Sequence, residues 1–264
     1  MTLLKGKRAL IFGVANDHSI AWGIAQAMRE HGAELAFSYA SPVLERRVRP
    51  LAETVGSDFV ELCDVTDDQQ VEAVFAKARD QYEQLDILVH AIAFANREDL
   101  EGGFYTTSRE GFRIAMDISV YSFVALARAA QALMPQGGSM MTLTYYGGQK
   151  VVANYNVMGV AKAALEAATR YLAADLGPKG VRVNAISAGP VRTLSAAGVR
   201  GFKSLYREFA ELAPMRRQIS TADIGGAAVW LASDLARNVT GEVLFVDSGY
   251  NILGVPSIDA SDRN

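Results

Sequence analysis

Short apolar runs alternate with longer amphipathic ones along this chain. RALIFG (8–13), ELAFSY (34–39), DFVELC (58–63), DILVHA (86–91), SMMTLT (139–144), VRVNAIS (181–187) and EVLFVD (242–247) read as strands. Segments near 20–31, 42–55, 67–83, 108–134, 155–176 and 221–235 read as helices. Apolar strands separated by helices predict a parallel sheet covered on both faces. Right-handed crossovers then give an α/β doubly wound Rossmann fold with seven parallel strands. Ser19 or Asp17 is placed to cap the first helix, Pro135 follows the fifth, and GPKG (177–180) breaks the sixth. No linker, repeat or shift of composition divides the sequence. It is read as one domain over 1–256, with a polar, mobile tail at 257–264.

Composition narrows the classes of function. The formal net charge of −3 gives no reason to expect nucleic acid as a partner. A single cysteine, Cys63, excludes an internal disulfide framework and suits a reducing compartment; a small buried residue is expected there. KRALIFGVA is basic then apolar, but the run is too short for an export signal. No apolar stretch approaches the roughly 20 residues of a membrane span, so a cytoplasmic protein without membrane contact is expected. His18, His31 and His90 are scattered without a second ligand at metal-like spacing, and no metal is expected.

In a doubly wound sheet, ligands sit beyond the carboxyl ends of the strands at the switch in strand order. The first strand runs into GVANDHSIAWGIA (13–25), which is not the G-x-G-x-x-G fingerprint. The physical needs can still be met. Gly13 allows a tight turn, Ser19 and Ile20 would present backbone N–H groups at a helix start, and Gly23 would let that helix pack closely on the sheet. CDV (63–65) offers Asp64 to an adenine amino group, although Asp64 also reads as a helix cap. HAIAFA (90–95) ends a strand in small residues that admit a flat ring. The second strand ends SYASP with no acid for a ribose 2′-hydroxyl, while Arg46 and Arg47 follow a turn later. NADH is the preferred dinucleotide, with NADPH as the alternative.

Tyr155 precedes Lys162 by seven residues, nearly two helical turns, which puts both on one helix face. An ammonium beside a phenol lowers the phenol's pKa and can also hydrogen-bond ribose hydroxyls. The pair follows the fifth strand, beside the expected nicotinamide pocket.

NYNVMGVAKA (154–163), RVNAISAGPVRT (182–193) and LTYYGGQK (143–150) closely resemble bacterial enoyl-acyl-carrier-protein reductases, a divergent branch of the short-chain dehydrogenase/reductases. The resemblance extends from about residue 3 to 255 and includes SIAWGIAQAM (19–28) and TGEVLFVDSGYNILGV (240–255). Ordinary superfamily members use Ser with Tyr-x3-Lys; here position 159 is Gly and Tyr145 stands ten residues before Tyr155. The resemblance implies reduction of trans-2-enoyl thioesters by NADH, or by NADPH. Tyr155 would bond the thioester carbonyl and stabilise the enolate, with either Tyr155 or water protonating the α-carbon. Lys162 would hold the nicotinamide ribose and Tyr145 would orient the acyl group. Gly13, Ser19, Ile20, Asp64, Val65, Ile92, Val191 and Thr193 would touch the dinucleotide, and Ala95, Met158 and Phe202 would line the acyl pocket. A homotetramer is implied as well. The longer Tyr–Lys spacing is read as suiting charge that develops two atoms beyond the carbon that receives hydride. A carbonyl reductase and a non-catalytic dinucleotide sensor are the alternatives.

The stretch 187–207 supplies Gly189, Gly198 and Gly201 as hinges for a substrate lid near 193–210. From Ala188 to Arg207 it holds Arg192, Arg200, Lys203 and Arg207 and no acid, a basic rim suited to an acidic acyl-carrier protein. Ala93, where many relatives carry Gly, should narrow the space for inhibitors that stack on the nicotinamide. The ending YNILGV (250–255) would suit a subunit interface.

Overall fold

The computed structural model describes residues 2–193 and 202–254, without the side chains of 202–205. Seven parallel strands form one sheet: β1 (Arg8–Phe12), β2 (Glu34–Tyr39), β3 (Val60–Leu62), β4 (Ile87–His90), β5 (Gly138–Thr144), β6 (Val181–Ala188) and β7 (Val243–Val246). Their order is β3-β2-β1-β4-β5-β6-β7. The direction of travel across the sheet reverses between β1 and β4, which opens a crevice at their carboxyl ends.

Alternation along the strands divides the core in two. Ala9, Ile11, Ile87, Val89, Met141 and Ile186 face one side, where they meet α1 (Ile20–Glu30), α2 (Pro42–Thr54) and α8 (Thr221–Ala232). Leu10, Phe12, Leu88, Met140 and Val183 face the other, against α3 (Asp68–Tyr82), α5 (Ser122–Gln131) and α6 (Asn156–Leu176). Two-sided burial is why β1 and β4 read as near-continuous apolar runs, whereas the edge strands β3 and β7 keep partly accessible positions. Cys63 belongs to this second core and is 1% exposed.

Three local expectations are corrected. The segment 108–134 is not one helix: α4 (Arg109–Met116) passes through a π-helical turn at Asp117–Tyr121 before α5 begins. Gly23 does not serve contact with the sheet. A Cβ there would collide with Thr221 of α8, 2.8 Å from its carbonyl oxygen, so this glycine lets two helices cross closely. Ser19 occupies the cap position of α1, but its hydroxyl does not cap the helix. Within the expected lid, 194–201 lie outside the described residues, and Phe202–Leu212 form an unforeseen helix, α7. The expected tail at 257–264 also lies outside the described residues.

Candidate active site

Tyr145 follows the last residue of β5, and Tyr155 immediately precedes α6. Their rings meet edge to face, with centroids 5.0 Å apart and an interplanar angle of 73°. Backbone conformation fixes Tyr155 from both sides: Asn154 and Asn156 have φ of 62° and 39°, a sparsely populated region for residues other than glycine. Asn156 also donates its side-chain amide to the carbonyl of Gly102 at 3.2 Å.

Glycine makes the encounter of the two rings possible. The turn Tyr146–Gly148 lies directly on α6. A Cβ on Gly147 would stand 2.5 Å from the Tyr155 ring and 3.2 Å from the Tyr145 ring. A Cβ on Gly159 would stand 2.8 Å from the carbonyl oxygen of Gly147. Position 159 is four residues after Tyr155, where the common reductase pattern has its lysine. No side chain fits there. The ammonium comes instead from Lys162, which reaches beneath the turn and donates to the Leu143 carbonyl at 2.7 Å.

The electrostatics differ from the expected pairing. Burial, with Tyr145 adding to it, pushes the Tyr155 phenol above its ordinary pKa, although part of its surface stays accessible. Burial, with Tyr250 adding to it, holds Tyr145 up at about 12. Lys162, 5% exposed, is pushed down to about 8 by burial, against an opposing effect of Glu166. Burial thus outweighs any lowering of the Tyr155 phenol by Lys162, whose ammonium donates to the Leu143 carbonyl instead. The phenol remains a neutral hydrogen-bond donor across the physiological range.

Apart from Lys162 on α6, the dinucleotide residues expected from sequence follow strand ends on the carboxyl side of the sheet. Gly13 has φ of 105°, and a Cβ there would overlap the Ala91 carbonyl at the β1–β4 crevice. Ser19 accepts the backbone N–H groups of Ala15 and Asn16 at 3.0 and 3.1 Å, and its own N–H goes to the Asn16 carbonyl. Ser19 thus shapes the loop, leaving the start of α1 at Ile20 to face the crevice. Asp64 is exposed and uses Oδ1 for the backbone and hydroxyl of Thr66 at 3.0 and 2.8 Å. The cap of α3 is Asp67, not Asp64. Val65 is buried in the core; Ile92, Ala95, Val191 and Thr193 are partly accessible. A glycine cradle at the strand switch and an uncapped helix start are the features a dinucleotide needs, and these residues fit one.

With this geometry in place, the kinship of the chain becomes decisive. A family model described as enoyl-(acyl carrier protein) reductase matches residues 13–251. The chain belongs to that family. A Bacillus cereus relative named enoyl-[acyl-carrier-protein] reductase [NADH] FabI is 55% identical, covering 96% of this chain and 100% of the relative. The Rickettsia prowazekii protein of the same name is 50% identical over 96% and 97%. The crystal structure of the Bacillus cereus enoyl-acyl carrier protein reductase with NADP+ and indole naphthyridinone superposes with a TM-score of 0.95 at 54% identity, covering 97% and 100%. The Aquifex aeolicus enoyl-[acyl-carrier-protein] reductase (NADH) gives 0.93 at 53% identity, covering 96% and 100%.

The flanks of this enoyl reductase site hold further departures from the sequence expectations. Gly189 is no hinge: a Cβ would stand 2.8 Å from Phe209 and 3.1 Å from Ile219, and its N–H bonds Val246. Gly198, Gly201 and Arg200 lie outside the described residues, as do the side chains of Phe202 and Lys203. Arg192 lies over the Tyr206 ring at 4.5 Å, and Glu208 and Glu211 follow Arg207 on α7, so the rim is mixed in charge. Tyr250 packs inward between Phe209 and Tyr146, with centroids 5.1 and 5.9 Å away. Together with Tyr145 and Pro190 these rings enclose a cavity of only about 10 Å³.

Met158 is buried, with its sulfur 3.9 Å from the Ser119 hydroxyl. Ser119 sits in the π-turn, accepts the Phe94 N–H at 3.0 Å and donates to the Phe94 carbonyl at 3.2 Å. Beside it, Ser122 donates to the Ile118 carbonyl at 2.6 Å, so it accepts from His90 Nε2 at 2.8 Å. That assignment makes Thr142 the donor to His90 Nδ1 at 2.7 Å. Sequence reasoning missed Ser119, His90 and the Gly147–Gly148 pair. The adjacent glycines after Tyr145 and Tyr146 were a signal for that turn, while nothing local marked Ser119 or His90.

Proposed function

We propose that this chain reduces the carbon–carbon double bond of trans-2-enoyl thioesters borne by acyl-carrier protein, using NADH. This is the saturating step of fatty-acid chain elongation. The observation that carries the reading is the edge-to-face Tyr145–Tyr155 pair, built over a glycine at position 159, with Lys162 beneath it. When bound, the reduced nicotinamide supplies a hydride to the β-carbon.

The chain's own residues then manage charge and position. Tyr155 donates to the thioester carbonyl oxygen, where negative charge grows; a neutral donor out of water suits that task better than an ionised one. Tyr145 orients the acyl group, and Lys162 holds ribose hydroxyls. Gly13, Ser19 and Ile20 lie where the pyrophosphate would rest, Asp64 and Val65 at the adenine, and Ile92, Val191 and Thr193 along the rest of the dinucleotide. Ala95, Met158 and Phe202 line the acyl chain, with the segment near 193–210 as its lid. NADH is preferred because the relatives' names carry NADH. Arg46 and Arg47 are exposed on α2, and the NADP+ held by the Bacillus cereus enzyme keeps NADPH as the second choice.

Among the described residues no helix is long and apolar enough to cross a membrane. The enzyme works in the cytoplasm as a homotetramer, a state that light scattering after size-exclusion chromatography tests. Mixing protein with NADH or NADPH and either crotonyl- or acetoacetyl-coenzyme A tests the activity. Loss of reduced-nicotinamide absorbance with crotonyl thioester is the expected result. Turnover of acetoacetyl thioester alone would make the chain a carbonyl reductase, and silence with retained cofactor binding would make it a sensor.

A further inference from the structure

Glu166 lies one turn beyond Lys162 on α6, and only 5% of it is exposed. A carboxylate so far from water is unfavourable unless its oxygens are hydrogen-bonded. Both are. Oε1 accepts the Thr144 hydroxyl at 2.8 Å, and Oε2 accepts the Gln149 side-chain amide at 3.1 Å. Thr144 ends β5, and Gln149 closes the turn Tyr146–Gly148. The two bonds therefore hold opposite ends of the segment that carries Tyr145. The fit is close, since a Cβ on Gly148 would stand 3.0 Å from Oε1. One turn earlier, Lys162 holds the Leu143 carbonyl from the same helix.

The partners narrow the residue type. A carboxylate meets both donors with acceptors and carries charge; glutamine could keep both contacts only by donating to the Thr144 hydroxyl, so what distinguishes Glu166 is its charge. Negative charge at this position also acts on Lys162, opposing the burial that holds the ammonium down to about 8. The other titratable groups around the lysine carry no charge near neutrality. His90 on β4 is pushed down to about 3, chiefly by burial, Tyr145 is held up at about 12, and Tyr155 is held above its ordinary value. Glu166 is thus the one of these four groups positioned to balance the ammonium.

We propose that Glu166 is a positioning residue for the reaction, pinning the Tyr145 segment against α6 and keeping buried Lys162 in its ammonium form. This rests on the enoyl reductase reading and deepens it. The two roles separate by mutation. Glu166→Gln keeps the volume and removes the charge, so Lys162 loses its proton at lower pH. NADH affinity, followed by nicotinamide fluorescence, should fall off on the alkaline side about one pH unit or more earlier than in wild type. Thr144→Val and Gln149→Leu each remove one hydrogen bond and leave the charge. Each should lower kcat for crotonyl-coenzyme A about fivefold while the alkaline limb stays in place.

An unshifted alkaline limb in Glu166→Gln overturns the charge role, and wild-type kcat in both Thr144→Val and Gln149→Leu overturns the positioning role. Either result defeats the proposal. Should Glu166→Gln fail to fold, Glu166→Asp keeps the charge and shortens the reach. It should keep the limb and lose kcat, and the reverse outcome defeats the proposal as well. Wild-type protein that does not oxidise NADH with crotonyl-coenzyme A refutes the reductase reading instead, so the two failures are distinguishable.

Discussion

Two of the contacts in this fold that depend on glycine serve different ends. Where α1 crosses α8, Gly23 lies against Thr221, and a Cβ on Gly225 would stand 2.7 Å from Ala27. Around α6, Gly147, Gly148 and Gly159 bring the turn after β5 against the helix at similar range. The first contact is surrounded by buried apolar residues such as Ile24, Met28 and Ile224 and joins two elements of the core. The second lies at a strand end, and what it brings together is two phenols, an ammonium and a carboxylate. Close backbone approach is chemically neutral. It becomes a site where the carboxyl edge of a parallel sheet delivers polar side chains to it.

Gly159→Ala should separate the two contacts most sharply. Its Cβ must displace the Gly147 carbonyl and, with it, the seat of Tyr155. Overpacking of this kind costs about 1–3 kcal/mol, which would lower kcat about tenfold to a hundredfold if it is spent at the tyrosine pair. NADH affinity should hold, as cofactor titration beside steady-state kinetics would reveal. Wild-type kcat would mean that the turn yields freely and that the distinction is false.

Gly23→Ala introduces a similar clash far from the chemistry. The melting temperature should fall about 2–4 °C for each kcal/mol, while kcat per folded molecule is retained. Lost turnover with unchanged melting would show that Gly23 acts on the site and not only on the helix crossing.

The smallest effect concerns what lies beneath the α6 contact. The folded His90 imidazole is pushed down to about 3, first by burial and then by Lys162, whereas an unfolded histidine titrates near ~6.5. The unfolded state binds more protons between those values, so stability is fully present above ~6.5 and is lost as pH falls toward 3. One pH unit below ~6.5 the loss is about 1.4 kcal/mol. His90→Asn should flatten the dependence of melting temperature on pH between about pH 6.5 and pH 4. An equally steep slope in that variant would show that other groups carry the acid sensitivity.

Much of this architecture was legible in the chain. All seven strands stand where the apolar runs put them, and in the central strands burial on both faces leaves little room for polar residues. The meeting of Tyr145 and Tyr155, with Lys162 on α6, was legible as well through their types and spacing. What escaped depends on contacts between distant segments. Gly23 meets Thr221, and nothing local to either residue announces it. The π-turn at Asp117–Tyr121 interrupts a helix whose apolar pattern runs straight through the inserted residue. Helix α7 was hidden behind the small residues that precede it, which made the segment read as a loop. Glu166 reads as an ordinary helix former until Thr144 and Gln149 are folded onto it.

The claim on which the rest depends is that Tyr155 acts as a neutral donor to the substrate carbonyl. Tyr155→Phe, assayed with NADH and crotonyl-coenzyme A beside a cofactor titration, tests it most directly. Turnover should fall about a hundredfold or more with NADH affinity unchanged. A variant that keeps wild-type kcat would contradict that role.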